Sequence, residues 1–388
     1  MENPMKNSGW RAVCDINNSG RITMKIKAAV VREAGKPFVI EEVELDEPRD
    51  DEVLIKIVSS GLCHTDLAAS MQYLGNPLPG VFGHEGAGIV EKVGSKVTKV
   101  KPGDHVVSTY MWCGVCPACK QAKPGWCVDF RKLNFAGRRA DGSITIKKGN
   151  DAIHGSFFGQ STFATYALIN ERNTVKVRTD VPLDILSPLG CGIQTGAGGV
   201  LNSLKAEPGS SLVIFGVGSV GLSAIMAAVI SGCSPIIAVD IMPSRLELAK
   251  AFGATHLING KEVNAVDEIR KLTGGGAKYT MECTGNPVVF RQAVDSLMMG
   301  GTCALLGVAP LGVEVKLEMQ TLLDGRTIKG CVEGDSVSDI FIPQMIEFYR
   351  AGRFPFDKLV TFYTLDQINE AVKDTHDGKA LKAVMRVQ

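Results

Sequence analysis

The sequence predicts a two-part α/β protein, with a β-rich first region followed by a doubly wound parallel sheet. Three observations lead there. The chain has 388 residues, more than a single hydrophobic core ordinarily serves. Its first half is filled by short alternating or apolar runs between Gly, Pro and Asp, with few helical periods. From about residue 211, buried-type strands alternate with helical stretches, the pattern of a parallel sheet covered on both faces.

Taken in order, residues 1–23 are polar and hold no apolar stretch of the secretory type, so they read as a disordered extension. Regular patterning begins at Met24, a plausible natural start. Strands are predicted over 27–31, 38–43, 52–59, 86–93 and 105–108, with Pro102-Gly103-Asp104 as a turn. A short helix is predicted over 63–73. The glycine-studded, basic stretch 130–156 reads mostly as surface loop. Further on, 211–215, 236–240, 278–283 and 302–307 have strand character. Helices are predicted over 220–231, 244–252 (behind Pro243), 288–299, 340–351 and 365–376. The organisation is then 1–23 extension, 24–192 first domain with a cysteine lobe at 112–128, 193–331 second domain, and 332–388 rejoining the first.

Composition excludes several classes. Hydrophobic residues make up 45% and charged ones 21%, as in a folded globular chain, and 42 basic against 41 acidic residues give a net charge of +1. That balance gives no reason to expect a nucleic-acid or anionic-membrane partner. No apolar run is long and clean enough to span a bilayer. Eleven cysteines are an odd number in a chain too long for a stapled secreted scaffold. Metal ligation in a reducing, cytoplasmic compartment explains their clustering better.

The second domain carries a dinucleotide fingerprint. Gly216-Val-Gly218-Ser219-Val220-Gly221 lies between a predicted strand and a predicted helix. Gly216 suits the tight turn, Gly218 admits a pyrophosphate against the backbone, and Gly221 permits close helix packing. Asp240 ends the next strand, where a carboxylate binds ribose hydroxyls and repels a 2′-phosphate, so NAD is expected over NADP.

Two metal sites are suggested. Cys113-x-x-Cys116-x-x-Cys119-x7-Cys127 has the spacing to enclose one tetrahedral zinc with four thiolates. A closed site of that type holds structure and has no room for substrate. A small iron–sulfur centre or unligated thiols are the competing readings. Separately, Cys63, His84 and Cys191 sit among glycines in Gly61-Leu-Cys63-His64-Thr65-Asp66, Gly83-His84-Glu85-Gly86 and Gly190-Cys191-Gly192. Two thiolates and an imidazole with an open fourth position match a zinc that polarises an alcohol oxygen. Isolated buried cysteines and histidines are the bland alternative.

These motifs, in this order, carry a resemblance. From Met24 onward the chain resembles the medium-chain zinc-dependent alcohol dehydrogenases. The resemblance implies a GroES-like catalytic domain and a Rossmann domain, with NAD in the cleft between them. It implies a catalytic zinc on Cys63, His84 and Cys191 and a structural zinc on the four-cysteine lobe, hence two zincs per subunit. By the same resemblance Thr65 meets the alcohol, Asp66 orients His84, and Glu85 lies behind the metal. Ser219, Val220, Thr195 and Arg245 fall on the cofactor, with Arg245 near the adenosine ribose. Lys382 takes a place that meets the pyrophosphate. A homodimer or homotetramer is implied.

Three positions depart from the family pattern. His64 replaces an arginine near the pyrophosphate, and Ala68 stands where liver-type members carry a proton-relay histidine. Proton release then goes through water, the ribose or His64. Thr109 replaces a bulky aromatic over the substrate. His105, His154, His256 and His376 match no motif. The segments 190–198 and 155–163, with His64, look like bacterial aryl-alcohol (benzyl-alcohol) dehydrogenases, which points to primary aromatic or allylic alcohols. Tyr110, Trp112, Phe157 and Phe158 either line an apolar pocket or simply pack. The alternatives are an aliphatic or S-(hydroxymethyl)glutathione dehydrogenase, and a non-catalytic nucleotide-binding protein with structural zinc alone.

Overall fold

The computed structural model describes residues 14–16 and 22–387. Two β-sheets form the first domain. In one, Ile22–Val31 pairs with Val39–Asp46 and also with the short strand Gly80–Val81. The sheet then closes through Ile146–Lys148 and Asp151–Gly155. In the other, Glu52–Gly61 is flanked by Gly86–Val93, Tyr166–Asn170 and Lys382–Arg386. His105–Ser108, Thr174–Lys176 and Val360–Thr364 extend it at its two ends. The last sixty or so residues thus end as strands of the first domain's sheet.

The third sheet is wholly parallel, in the order His256–Asn259, Ile236–Asp240, Leu212–Phe215, Ala277–Glu282, Leu297–Leu305, Thr327–Gly330. Strand alternation builds its two cores. Leu212 and Ile214 pack with Leu222, Ile225 and Ala228 of the helix Ser219–Ser231. Val213 and Phe215 point the other way, onto Ile237, Ile269 and Val294. The strand order reverses between Leu212–Phe215 and Ala277–Glu282, and such a reversal opens a crevice at the strands' carboxyl ends.

Several expectations need correction. The stretch 130–156 is not mostly loop. It holds a helix, Phe130–Phe135, and an antiparallel pair, Ile146–Lys148 with Asp151–Gly155. Its basic character misled because Arg139 is an internal ion-pair partner, 2.9 Å from Asp46 and 2.6 Å from Glu52. The helix predicted over 288–299 stops at Asp295, and Leu297 already begins a strand. The helix after Cys63 is shorter than predicted, His64–Ser70. Glycines disguised the helix Gly192–Gly198 and its π-helical continuation Gly199–Leu204. The extension expected over 1–23 lies largely outside the described residues. Within it, Cys14–Ile16 is a strand paired with Ile22–Met24.

Candidate active site

Three separated segments converge on one point. Cys63 is the N-cap of the helix His64–Ser70. His84 and Glu85 lie between Gly83, which adopts φ +91°, and the strand Gly86–Val93. Cys191 is the N-cap of Gly192–Gly198. The ligand atoms of Cys63, His84, Glu85 and Cys191 all fall within 4.8 Å of one another. His84 Nε2 is 3.2 Å from Cys191 Sγ. Two sulfurs and one ring nitrogen at this spacing, with a carboxylate beside them, are a donor set that fits zinc.

The surroundings fix each donor. Asp66 is fully buried, and its Oδ1 is 2.8 Å from His84 Nδ1. It also accepts from the backbone N–H of Cys63 and Gly83, both at 3.0 Å. One carboxylate therefore sets the ring's tautomer and two ligand-bearing loops at once. Burial works against charging His84, but Asp66 prevails and holds its pKa well above the usual value. A hydrogen bond from Cys191 keeps the Cys63 thiol well below its ordinary pKa, while Cys191 is pushed up by the same bond and by burial.

Glu85 makes a second clamp. Its Oε1 accepts from Lys382 Nζ at 2.7 Å and from Gly192 N at 3.0 Å, while Lys382 Nζ also donates to Leu62 O at 3.3 Å. The pair thereby ties together the backbones next to Cys63 and Cys191. Burial raises Glu85, and the neighbouring Lys382 opposes it. Glu85 Oε2 is buried without a partner among the described residues, an orphan acceptor beside the thiols. Lys382, placed by resemblance at the pyrophosphate, has its side chain only 2% exposed and held on Glu85. His64 is exposed, Thr65 partly so, with Oγ1 3.7 Å from Cys63 Sγ.

Aromatic side chains wall the site. Phe158 stacks on the His84 ring at 4.4 Å between centroids, and Phe157 meets it edge-on at 5.6 Å. Phe158 holds a φ of +54° to reach that position. Tyr110 packs on Trp112 and donates its hydroxyl to Ser336 O at 2.6 Å, so packing is its role. Thr109 is buried in a polar network, donating to Gly190 O and accepting from Gln194 Nε2.

Sequence reasoning missed Gln194 and Glu333. Gln194 Nε2 also reaches Glu333 Oε2 at 3.2 Å, and Glu333 Oε1 is 3.4 Å from Cys191 Sγ. Burial pushes the Glu333 carboxyl up to about 7. The available signal was two acids around a glycine, Glu333-Gly-Asp335, just past the last strand of the parallel sheet.

The nucleotide turn lies at the reversal of strand order. Gly216 has φ +85°. A Cβ on Gly221 would fall 2.1 Å from Gly216 O, whereas one on Gly218 would meet nothing within 4 Å. The middle glycine therefore faces open space, as a backbone that receives a phosphate must. Ser219 and Val220 begin the helix. Asp240 accepts from Val217, Ile241 and Met242 N–H groups at 2.7–3.0 Å, which orients its carboxylate at the strand end. Arg245 lies 4.0 Å from it, and its buried Nε has no partner among the described residues. These features fit the adenosine end of a dinucleotide. Thr195 is partly exposed while its helix neighbours are buried.

The four-cysteine lobe is compact. Its sulfurs lie within 4.8 Å of one another, with Cys116 Sγ 3.5 Å and Cys113 Sγ 3.9 Å from Cys119 Sγ. Backbone N–H groups bring the Cys116 thiol down to about 6, and burial pushes Cys119 up to about 12. The set fits a closed tetrahedral zinc.

A closed thiolate lobe, an open two-sulfur, one-nitrogen cluster and a dinucleotide turn define a zinc-binding oxidoreductase. Comparison agrees. Residues 49–179 match the alcohol dehydrogenase GroES-like domain, and residues 219–350 the zinc-binding dehydrogenase family. The chain belongs to the medium-chain zinc-dependent alcohol dehydrogenases, NAD-dependent oxidoreductases of alcohols and aldehydes. It is 43% identical to geraniol dehydrogenase of Castellaniella defragrans, over 92% of this chain and 97% of that one. It is 36% identical to the class-3 alcohol dehydrogenase of Cereibacter sphaeroides, over 93% and 100%. The crystal structure of benzyl alcohol dehydrogenase from Acinetobacter calcoaceticus superposes with a TM-score of 0.91 at 46% identity, over 94% and 99%.

Proposed function

We propose that this enzyme interconverts primary aromatic or allylic alcohols and their aldehydes, with NAD as hydride acceptor and two zincs per subunit. The observation that carries the substrate class is the likeness, over nearly the whole chain, to proteins named for an allylic and an aromatic alcohol, geraniol and benzyl alcohol, at 43% and 46% identity.

A zinc held by Cys63, His84 and Cys191 would supply Lewis acidity toward a substrate oxygen. The chain's own residues do the rest. Asp66 keeps His84 as a nitrogen donor through Nε2. Glu85 and Lys382 hold the two cysteine backbones in register. Thr65 Oγ1, on the exposed side of Cys63, accepts a hydrogen bond from the alcohol, orients its oxygen, and gives up its own hydroxyl proton as the alcohol's is transferred. Ala68 cannot carry that proton onward, so it leaves by water, the ribose hydroxyl or His64. Thr195 and Arg245 contact the cofactor, and Asp240 selects NAD. Oxidation to a conjugated aldehyde is the favoured direction.

A second reading is a glutathione-adduct dehydrogenase, because relatives include an S-(hydroxymethyl)glutathione dehydrogenase at 37% identity from Paracoccus denitrificans. Rates of NAD reduction with benzyl alcohol, geraniol, hexanol and S-(hydroxymethyl)glutathione, compared as kcat/KM, separate them. Dominant turnover of the glutathione adduct would end the aryl assignment. One zinc per chain and no alcohol-dependent NADH would instead mark a nucleotide-binding protein with structural metal alone. No described helix is long and apolar enough to cross a membrane, and the clustering of six cysteines in two metal-type sites supports a reducing, cytoplasmic setting. Exposed Met299, Leu311, Met319 and Leu323 near the edge of the parallel sheet support a homodimer or homotetramer, measurable by light scattering.

A further inference from the structure

The segment Glu333–Asp335 joins the four-cysteine lobe to the helical stretch 192–204 and to Cys191 at its start, which are far apart in sequence. Its three residues all adopt left-handed backbone, with φ of +51°, +68° and +48°. Two of them are not glycine, so surrounding contacts must hold them there. On one side Asp335 Oδ1 accepts the indole N–H of Trp126, in the four-cysteine lobe, at 3.0 Å. A Cβ on Gly125 would lie 2.8 Å from Val332 O, so lobe and turn are in direct backbone contact. On a second side, Asp335 Oδ2 accepts from Ser203 Oγ at 2.7 Å and pairs with Lys329 Nζ at 3.3 Å. On the third, Glu333 meets Cys191 Sγ at 3.4 Å and Gln194 Nε2 at 3.2 Å. A Cβ on Gly334 would fall 2.3 Å from Gln194 O. No slack remains between the lobe and the helix that bears Cys191.

We propose that the Glu333–Asp335 turn is a strut through which the four-cysteine lobe positions Cys191 and Gln194. Asp335 is its anchor on the lobe and Glu333 its contact with the metal-binding thiolate. The lobe's packing then contributes to the geometry of a site to which it supplies no ligand. Glu333 and Asp335 are positioning residues, acting through Cys191. This rests on the reading that Cys63, His84 and Cys191 hold a metal.

The test uses the full chain with cobalt(II) in that cluster, whose sulfur–nitrogen absorption differs from that of an all-sulfur lobe. Trp126→Phe removes the indole N–H and keeps a ring at a half-exposed position, so folding survives. Asp335→Ala removes the anchor, and Asp335→Asn retains an acceptor for the indole. The strut predicts a shifted cobalt spectrum in Trp126→Phe and Asp335→Ala. It also predicts metal release to a chelator faster by roughly tenfold, the low end of what loss of a ligand's supporting contacts produces. Turnover falls several-fold while KM for NAD stays within twofold, and Asp335→Asn recovers most of the difference. A wild-type spectrum and release rate in both variants, with or without a lowered Tm, would overturn the strut and leave the site intact. A wild-type chain with no metal in the cluster would overturn the site reading and the strut together.

Discussion

The two cysteine-built sites are made in opposite ways. The lobe takes all four donors from residues 113–127, and its short turns alone bring the sulfurs within 4.8 Å. The open site reaches the same spacing with donors from three segments, His84 and Cys191 being 107 positions apart. Local chain geometry suffices for the first. The second needs the whole first domain, and its supporting contacts show it: Asp66 across two loops, the Glu85–Lys382 pair across three, and Glu333 from beyond the parallel sheet. A closed structural site can be written into a short motif. A site with an open position must be held from outside, because an unfilled place leaves its donors nothing else to be rigid against.

The largest test of that contrast removes one long-range donor. Cys191→Ser should lower alcohol-dependent NAD reduction on the order of 10³-fold or more, comparable to deleting a principal stabiliser of charge at a reacting oxygen. It should also release one zinc and leave the lobe loaded. Metal analysis beside the rate assay checks both. Retention of two zincs and of activity would show that the open site is not where chemistry occurs.

The same contrast explains what was legible. The lobe and the glycine turn could be read directly, because spacing and flanking patterns are local properties. Cys63, His84 and Cys191 could be grouped from residue type and flanking glycines, but no spacing rule links them, and their assignment to one catalytic zinc came from family resemblance. Glu333 and Gln194 escaped because a buried acid within a turn looks like any solvated loop residue. The bond from Lys382 to Glu85 was not legible, because a buried lysine's partner is decided by the fold. The hairpin within 146–155 was hidden by charge that turned out to be internal pairing. Alternation and length served well for the central strands, whose partners are sequence neighbours in a βαβ chain.

Breaking the buried clamp gives the next effect. Lys382→Met leaves Glu85 buried without its cation, a change that costs roughly 3–5 kcal/mol. Denaturant unfolding of the zinc-loaded protein reads it directly. Adding Glu85→Gln should restore much of the loss, since the amide oxygen still accepts from Gly192 N and no charge remains stranded. Equal instability of the single and double variants would refute the clamp.

Asp66→Ala comes after it. The site loses the partner that fixes the His84 tautomer and two loop N–H groups, and metal affinity should fall about 10–100-fold. Asp66→Asn keeps an acceptor and should lie between. Competition with a chelator measures both, while the lobe's affinity stays unchanged. A parallel fall in lobe affinity would erase the distinction between the two sites.

The smallest effect lies away from both sites, at the hairpin that sequence reading overlooked. Glu41 receives two hydrogen bonds from Arg32, at 2.9 and 2.5 Å, and one from Lys148 of that hairpin at 2.8 Å. The Arg32 bond, aided by Lys148 against burial, holds the Glu41 pKa down to about 2. A carboxylate whose pKa is lower folded than unfolded stabilises the fold above its unfolded value of about 4.5, and that contribution fades as pH falls toward 2. Glu41→Gln should therefore cost up to about 1 kcal/mol at pH 7, since Arg32 and Lys148 are partly exposed to screening water. The gap between variant and parent should narrow as the pH of the unfolding measurement drops from 5 toward 3. With zinc content and turnover at pH 7 equal in variant and parent, the effect would be confined to the ion pairs that supplement the hairpin's strand pairing with Val39–Asp46. A gap that held constant with pH would instead assign the contact to packing.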